Sequence, residues 1–376
     1  MSVAINGTDG ITFNDGSLQP SAPVGRNLII NGNMMIDQRG GTVTINTASR
    51  TYGVDRWLGY GQASDGVFTI VQDTEAPAGF VNSTKITTTT ADASIGASQY
   101  YLLGQSIEGT NFSPLVWGSA SAKTVTLSFW VRSSLTGTFG GAINNNAVNR
   151  SYPFTYTIDS ANTWEQKSVT ITGDTSGTWL TTTGIGANVW FDLGCGSSNV
   201  GTAGTWAGAG YYGATGTTSL IGTNGATLYI TGVQLEANTT ATPFENLQYT
   251  TQLQLCQRYA VMFANSTSGK SGITMLGSKG HIGFGLAHNT GNPLVYSELP
   301  VLMRALPTQT YSNVSHFIFD RGWAAAATLT ALSIQGLRSS TKSIALIGTT
   351  TGLNNGDAGS FDFDNTDGWL LLDAEL

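Results

Sequence analysis

Residues 123–132 read Lys123-Thr-Val-Thr-Leu-Ser-Phe-Trp-Val-Arg132, and every second side chain from Val125 to Val131 is apolar. Successive side chains of a β-strand point to opposite faces of a sheet, so this alternation predicts a strand with one buried face. Three further segments alternate in the same way: residues 152–158, 169–171 and 189–195. Short strands with Gly- and Asn-rich turns between them are typical of an antiparallel sandwich of the jelly-roll type.

The composition favours the same fold class. Charged residues make up 10% of the 376 residues, whereas an average soluble protein has about 25%. Hydrophobic residues reach 40%, with 9 Trp, 13 Tyr and 15 Phe, so the chain has enough apolar side chains for a core and is not expected to be disordered. Because strand spacing is uneven and no motif recurs at a fixed period, a β-helix or propeller is disfavoured.

Strand patterns and turn signals divide the chain into four segments. The sequence Thr242-Pro243-Phe244-Glu245 places Thr at a helix N-cap, Pro at the first helical position and Glu three residues after the cap. The first segment has turns every few residues and too few apolar side chains for a core of its own. The predicted segments are an N-terminal arm over residues 1–25, a jelly-roll β-sandwich over 26–242, a connecting helix over 243–264 and a second, smaller β-sandwich over 265–376.

Charge and hydropathy restrict the partners and the compartment. The net charge is −7 and no three basic residues are consecutive, so we expect no nucleic-acid partner. No apolar run approaches about 18 residues, which predicts no membrane insertion. The first residues lack a basic and an apolar region, so we expect no cleaved signal peptide and synthesis in the cytosol of the producing cell. Cys195 and Cys256 are predicted to be free thiols rather than a disulfide or metal ligands.

Motifs for catalysis are missing from the sequence. It has three His and none of the usual hydrolase, metalloprotease or nucleotide-binding motifs. A glycosidase needs two carboxylates across a cleft, and the 23 acidic residues form no cluster in sequence. The segment Asp362-Phe-Asp-Asn-Thr-Asp-Gly368 has acids at positions 1, 3 and 6 instead of the 1, 3 and 5 of a calcium loop, so we interpret it as a solvated turn at the end of a strand. We expect no enzymatic activity and no cofactor.

Two strands carry side chains suited to sugar recognition. Proteins bind sugars with aromatic rings and a few placed polar groups. Alternation sends Trp130 and Arg132 away from the core, and it does the same for Asn188, Trp190 and Asp192. We therefore predict that Trp130 and Trp190 lie on one non-core face and that at least one contacts a glycan. The alternative is that loops or a neighbouring subunit cover this face and both rings are structural.

A Gly- and aromatic-rich loop, residues 204–213, is a second candidate. Gly lets the backbone approach a ligand, and Trp206, Tyr211 and Tyr212 supply rings. Packing against the rest of the protein is the alternative for these three. Separately, Asp55-Arg56-Trp57 is interpreted as a local structural staple, an ion pair beside a large ring.

Several motifs in order resemble a module of bacteriophage and prophage tail fibres. They begin with Arg26-Asn-Leu-Ile-Ile-Asn-Gly-Asn-Met-Met-Ile-Asp-Gln-Arg-Gly40. The others are Tyr52-Gly-Val-Asp-Arg-Trp57, Leu127-Ser-Phe-Trp-Val-Arg132, Thr163-Trp-Glu-Gln-Lys167, Thr231-Gly-Val-Gln-Leu-Glu236, Ala241-Thr-Pro-Phe-Glu245, Cys256-Gln-Arg-Tyr259, Leu299-Pro-Val-Leu-Met-Arg-Ala-Leu-Pro307 and Leu372-Asp-Ala-Glu-Leu376. The match covers most of residues 26–310 and, more loosely, the remainder.

The resemblance implies a virion protein that attaches the particle to host surface polysaccharide. Such receptor-binding fibres are usually homotrimers with a jelly-roll similar to carbohydrate-binding modules, and the arm over residues 1–25 looks like their attachment segment to other virion proteins. Two alternatives stay open: a purely structural virion fibre or adaptor, and a host polysaccharide depolymerase. Related folds often hold calcium between their first and last strands, but the corresponding residues here, Asn31, Asn33 and Glu236, depart from that pattern, so no metal is predicted.

Overall fold

The computed structural model describes residues 26–376, except 47, 63–64, 266–267, 272, 276–279 and 323, and three short strands within residues 1–25. The described residues form 28 β-strands and two α-helices. The strands of the first part of the chain are Ala4–Asn6 (β1), Gly10–Thr12 (β2), Leu18–Gln19 (β3), Val43–Ile45 (β4), Thr51–Tyr52 (β5), Leu58–Gly61 (β6), Val67–Asp73 (β7), Ser83–Thr90 (β8), Tyr100–Glu108 (β9), Val125–Ser133 (β10), Gly137–Asn145 (β11), Ser151–Ile158 (β12), Glu165–Ile171 (β13), Ile185–Cys195 (β14), Val200–Gly201 (β15), Gly213–Ala214 (β16) and Thr227–Glu236 (β17).

The remaining elements are the two helices and the strands that follow them. The helices are Gly109–Phe112 (α1) and Tyr249–Gln257 (α2). The later strands are Ala260–Asn265 (β18), Ile273–Met275 (β19), His281–Ala287 (β20), Pro293–Glu298 (β21), Thr308–Tyr311 (β22), Phe317–Asp320 (β23), Ala327–Thr328 (β24), Ala331–Ile334 (β25), Ser343–Thr349 (β26), Ala358–Phe363 (β27) and Trp369–Asp373 (β28).

Two six-stranded antiparallel sheets form the sandwich. Sheet I has the strand order β13-β10-β17-β8-β7-β4, and sheet II has the order β12-β11-β14-β9-β6-β5. The chain passes repeatedly from one sheet to the other, as in a jelly-roll. The predicted mostly β, antiparallel sandwich is therefore confirmed.

One apolar core fills the space between the sheets. Val125, Leu127, Phe129 and Val131 of β10 are all buried in it, as the alternation predicts. The Phe129 ring meets the Phe191 ring of sheet II edge to face, with 5.0 Å between centroids. The opposite side chains of β10 and β14 consequently lie on the two outer faces of the sandwich.

The predicted helix from residue 243 is too long. Its capping box does not form, because the Thr242 hydroxyl donates to Glu236 at 2.8 Å and the Glu245 carboxylate accepts from the Asn27 N–H at 3.0 Å. Residues 241–248 are neither helix nor strand, and α2 begins only at Tyr249. The tertiary hydrogen bonds override the local helix signal.

After α2, two sheets enclose a second core. A four-stranded sheet, β19-β18-β28-β22, faces a seven-stranded sheet, β24-β23-β27-β20-β21-β26-β25. Val261 and Leu372 from the first sheet pack in one cluster with Val295 and Phe361 from the second. We call residues 260–376 the C-terminal domain.

A buried ionic cluster joins this domain to the sandwich. Arg39 contacts Asp55 at 3.5 Å, Asp373 at 3.2 Å and Glu375 at 3.3 Å. Arg56 pairs with Glu375, and its guanidinium lies 3.6 Å from the centroid of the Tyr259 ring. The predicted Asp55–Arg56 ion pair is therefore wrong, since each charge has a partner elsewhere in the chain.

The neighbouring Trp57 is buried and structural. Its indole N–H donates to the Asn31 carbonyl at 3.0 Å. Cys195 and Cys256 are free thiols, as predicted.

Candidate functional site

An open groove lies on the outer face of sheet I. Its volume is about 670 Å³. The lining residues come from β10, β13 and two loops: Gly79, Phe80, Trp130, Gln166, Lys167, Ser168, Ala241, Thr242, Pro243, Phe244 and Asn246. Trp130 is the one predicted glycan-binding residue among them.

The Trp130 indole is available to a ligand. The side chain is half-buried, and no other described ring or cation stacks on it. Its N–H donates to no group in the described part of the chain and is not among the buried unpaired atoms. By contrast, six other tryptophans donate the indole N–H to a protein acceptor: Trp57, Trp117, Trp164, Trp179, Trp190 and Trp206.

Strand pairing and one glycine fix the position of Trp130. It lies opposite Gln166 of β13 on one side and Thr231 of β17 on the other. The register of β10 and β17 shifts just here, and Gly232 at the bulge has φ +61°. A Cβ at Gly232 would lie 2.6 Å from the Phe80 ring and 3.1 Å from Trp130 Cδ1. Glycine therefore permits both the left-handed backbone and the close approach of the two rings.

The segment 241–246 forms one wall of the groove. Glu236 accepts hydrogen bonds from the Thr242 N–H and hydroxyl, and Gln234 accepts one from the Glu245 N–H at 2.9 Å. These bonds fix the segment against β17. Phe244 then packs edge to face on Phe80, with 5.2 Å between centroids. The wall is apolar and held by sheet I itself.

Polar side chains also border the groove. The side chains of Gln166, Ser168 and Asn246 are exposed and make no hydrogen bond within the described residues. Amide and hydroxyl groups both donate and accept hydrogen bonds. The groove therefore combines ring faces with unpaired polar groups, the pattern of a small-ligand site.

Arg132 lies on the same face as Trp130 but is already engaged. Its guanidinium stacks over the Tyr229 ring at 4.9 Å, and its Nε–H donates to the Asn162 carbonyl at 2.9 Å. Trp164 approaches the other side of this cluster, with its centroid 6.2 Å from that of Tyr229. The row of rings on sheet I thus continues beyond the groove.

Trp190 lies on the other side of the molecule. It belongs to sheet II, so the prediction that Trp130 and Trp190 share one face is wrong. Trp190 is fully buried, and its N–H donates to the Asn144 side chain at 3.3 Å. Arg50 lies over its ring at 5.4 Å. The alternative structural interpretation applies to this residue.

The side chains beside Trp190 are also used internally. The Asn188 amide donates to Asn144 at 3.0 Å and accepts from the Ser106 hydroxyl at 2.6 Å. Arg50 covers this pair, and its guanidinium also donates to the Leu376 carbonyl at 3.3 Å. The outer face of sheet II is therefore closed by the protein's own groups.

Asp192 is a buried anchor for the loop that follows β16. Its carboxylate accepts hydrogen bonds from the Gly194 N–H at 2.7 Å and the Thr217 hydroxyl at 3.1 Å. Burial raises the pKa of Asp192 to about 6, although hydrogen bonds from Cys195, Thr217 and Gly194 oppose that rise. A Cβ at Gly213 would collide with the carboxylate, so no ligand reaches it from that side.

The rings of the loop over residues 204–213 pack against the sandwich. Trp206 meets Trp117 and Tyr152 edge to face, each at 5.2 Å, and donates its N–H to the Thr172 carbonyl at 2.8 Å. Tyr212 packs on Tyr100 with 4.7 Å between centroids.

Tyr211 lies against Gly201, where a Cβ would meet the tyrosine ring. Packing, the alternative weighed for these three rings, is what the structure shows.

Of the three suggested calcium residues, Asn31 and Glu236 are engaged within the protein, whereas the buried Asn33 Oδ1 has no hydrogen-bond partner among the described residues. The Asn31 side chain accepts a hydrogen bond from the Ile36 N–H at 2.9 Å and donates one to the Ile36 carbonyl at 2.8 Å, which stabilises its own turn. Glu236 bonds Thr242 and Gln234. In the described part of the chain, no three His, Cys, Asp or Glu side chains cluster as metal ligands. Among the same residues, no helix has the length and apolarity to span a membrane.

Sequence comparison identifies no family for this chain. No protein-family profile and no curated protein matches it. Solved structures that it resembles include tailspike protein 4 of bacteriophage CBA120, with 12% identity, 57% of this chain covered and a TM-score of 0.30. That match spans 22% of the length of the tailspike chain.

Two carbohydrate-binding modules are similar over a comparable share. A family 11 module from Clostridium thermocellum has 12% identity over 54% of this chain and 99% of the module, with a TM-score of 0.28. The CBM22-1 xylan-binding domain from Paenibacillus barcinonensis has 8% identity over 59% of this chain and 100% of that domain, with a TM-score of 0.27. The choice of site rests on the geometry of the groove itself.

Proposed function

We propose that this chain is a receptor-binding component of a bacteriophage tail fibre that attaches the particle to host surface glycans through the Trp130 groove. The observation that carries the proposal is the Trp130 indole, half-exposed in an open groove, whose N–H has no acceptor among the described residues. The motif resemblance gives the biological setting. The residues that line the groove supply the stacking and hydrogen-bonding groups.

The groove suits a pyranose ring for three physical reasons. The flat indole matches the apolar C–H face of the sugar, and Phe80 with Phe244 supplies an apolar wall. Gln166, Ser168 and Asn246 offer hydrogen-bonding groups to the sugar hydroxyls at the rim. A stacked ring contributes about 1–3 kcal/mol, by analogy with base–aromatic stacking, so each site is expected to bind weakly.

The proposed activity is binding without cleavage. Glycoside hydrolysis needs two carboxylates flanking the bond. The described residues that line the groove include no Asp or Glu. A sugar in the groove would therefore meet no acid–base pair.

Weak sites suit an assembly with several copies. We propose a homotrimer, made in the host cytosol, whose arm over residues 1–25 docks on other virion proteins. Linked identical sites raise overall affinity about 10²–10⁴-fold without any new contact. Sedimentation of the purified protein should give a trimer; a monomer of 39.4 kDa at micromolar concentration contradicts this part of the proposal.

Incubation with purified polysaccharide from bacterial surfaces tests the function. We expect the protein to be retained on a polysaccharide column while the polymer keeps its size. If the protein is retained on none of the bacterial surface polysaccharides, a purely structural virion protein is favoured. A fall in polymer size would instead show a depolymerase.

A further inference from the structure

The seven-stranded sheet of the C-terminal domain exposes large apolar side chains on its outer face. In β20, Gly283 and Gly285 lie on the core side, where an added Cβ would collide with backbone atoms of β21. The bulky residues between and beside them, Phe284 and Leu286, therefore point outward, with exposures of 65% and 54%. Tyr296 of β21 lies directly opposite Phe284 and is 46% exposed. β20 therefore carries two glycines on its core side and two large apolar side chains on its outer face.

We call the exposed pair Phe284 and Tyr296 the platform. Directly opposite residues of an antiparallel pair have Cβ atoms about 4.5–5.5 Å apart, so the two side chains are neighbours on the outer face of the sheet. Exposed aromatic groups clustered in this way mark an interaction surface. The Tyr296 hydroxyl adds a polar group to the platform.

A fixed imidazole borders the platform. The His281 ring is half-exposed, and its centroid lies 5.2 Å from that of Phe284. His281 Nδ1 lies 2.7 Å from Asp362 Oδ1 and 3.1 Å from the Ser360 hydroxyl. Because Nδ1 is engaged below, Nε2 is the ring nitrogen left for a ligand.

The carboxylate that holds the His281 imidazole, that of Asp362, is buried at a cost in folding free energy. The carboxylate is fully buried, and its Oδ2 has no hydrogen-bond partner among the described residues. Burying an unsatisfied polar atom opposes folding. A purely apolar contact surface would not need this buried carboxylate beneath a histidine at its edge. Residues 364–367 form the predicted strand-end turn between β27 and β28, but Asp362 itself is buried within β27.

We propose that Phe284, Tyr296 and His281 form a second carbohydrate-binding surface, separate from the Trp130 groove. A pyranose stacks over the two rings, and one of its hydroxyls bonds to His281 Nε2. Asp362 is a positioning residue, because its buried oxygens do not reach the ligand but hold the imidazole. One chain then carries two glycan sites in two different domains.

The Trp130→Ala variant allows the second surface to be tested alone. The probes are methyl glycosides of glucose, galactose, mannose and rhamnose, with binding detected by saturation-transfer difference NMR. We expect residual binding of at least one glycoside in this background. Adding Phe284→Ala or His281→Ala should reduce that residual signal at least fivefold, whereas Leu337→Ala, an exposed apolar residue elsewhere in the domain, should leave it unchanged.

The outcomes separate this inference from the proposed function. No residual signal after Trp130→Ala, or a residual signal that survives Phe284→Ala, overturns the second surface but leaves the groove intact. An undiminished total signal after Trp130→Ala refutes the groove instead. If Phe284→Ala changes the sedimentation coefficient and not the glycan signal, the platform is a contact between copies of this chain, and the inference is wrong. Thermal unfolding of each variant confirms that it is folded.

Discussion

Replacing Glu375 by Ala should strongly destabilise the contact between the sandwich and the C-terminal domain. The Arg56 and Glu375 side chains are 1% and 4% exposed, so both charges are withdrawn from water. Without Glu375, the partners that Arg56 keeps among the described residues are the Ser106 carbonyl at 2.6 Å and the Tyr259 ring. Arg39 also loses one of its three acidic partners.

The magnitude follows from burial. Removing one partner of a buried ion pair leaves an uncompensated charge and costs about 3–5 kcal/mol. Lys167 and Asp159 provide a surface control, because Asp159 is 71% exposed. Exposed pairs of this kind contribute about 0–1 kcal/mol, so Asp159→Ala should change little.

Equilibrium urea unfolding, followed by tryptophan fluorescence and circular dichroism, measures both variants. The double variant Arg56→Met with Glu375→Leu should recover most of the loss, since apolar residues replace both charges. A loss for Glu375→Ala as small as that for Asp159→Ala would refute the reasoning. So would a double variant less stable than Glu375→Ala.

Three other predictions follow from the same structure. Asp192→Asn should reduce the pH dependence of stability. The folded pKa of about 6 exceeds the ordinary 3.8, so the stabilising contribution of Asp192 is full below about pH 4 and is lost as the pH rises through 6, by up to about 3 kcal/mol. Thermal unfolding at pH 4.5 and 7.5 would detect this difference. Gly232→Ala should destabilise the protein by about 1–3 kcal/mol and weaken glycan binding, because Gly232 has φ +61° and lies against the Phe80 ring. The control Gly225→Ala, at φ +77° with nothing within 4 Å, should reduce stability alone. Equal losses of binding in the two variants would contradict this account. Deleting residues 2–25 should leave the melting temperature of the remainder nearly unchanged and abolish incorporation into particles; a large loss of stability would show that the arm belongs to the fold.

Local properties of the sandwich could be predicted from the sequence. Alternation in β10 identified the buried residues and the outward direction of Trp130, because side-chain direction depends only on the strand itself. Sheet membership is not local. β10 and β14 joined opposite sheets, which separated Trp130 from Trp190 by the whole core.

Coverage of a surface and the end of a helix also depend on distant residues. Arg50, which precedes β5 and is remote from Trp190 in sequence, covers the Trp190 ring, so nothing near Trp190 indicated its burial. The Thr242-to-Glu245 pattern indicated a helix, but Glu236 and Asn27 took up its capping groups. Because of that error, Phe244 and Asn246 were not predicted as groove residues. Gln166 and Ser168 could have been predicted by pairing β13 with β10 and following the alternation of side chains.

The affinity of the Trp130→Ala variant for glycan tests the central claim most directly. The ligand is surface polysaccharide from a bacterial strain that the wild-type protein labels, cut to oligosaccharides for monovalent titration calorimetry. Removing the indole should weaken Kd about five- to a hundredfold, for a loss of about 1–3 kcal/mol, while stability falls by no more than about 2 kcal/mol because the ring is half-buried. Tyr249→Ala, which removes an exposed ring outside the groove, should leave Kd unchanged. A folded Trp130→Ala variant with the wild-type Kd would contradict the account.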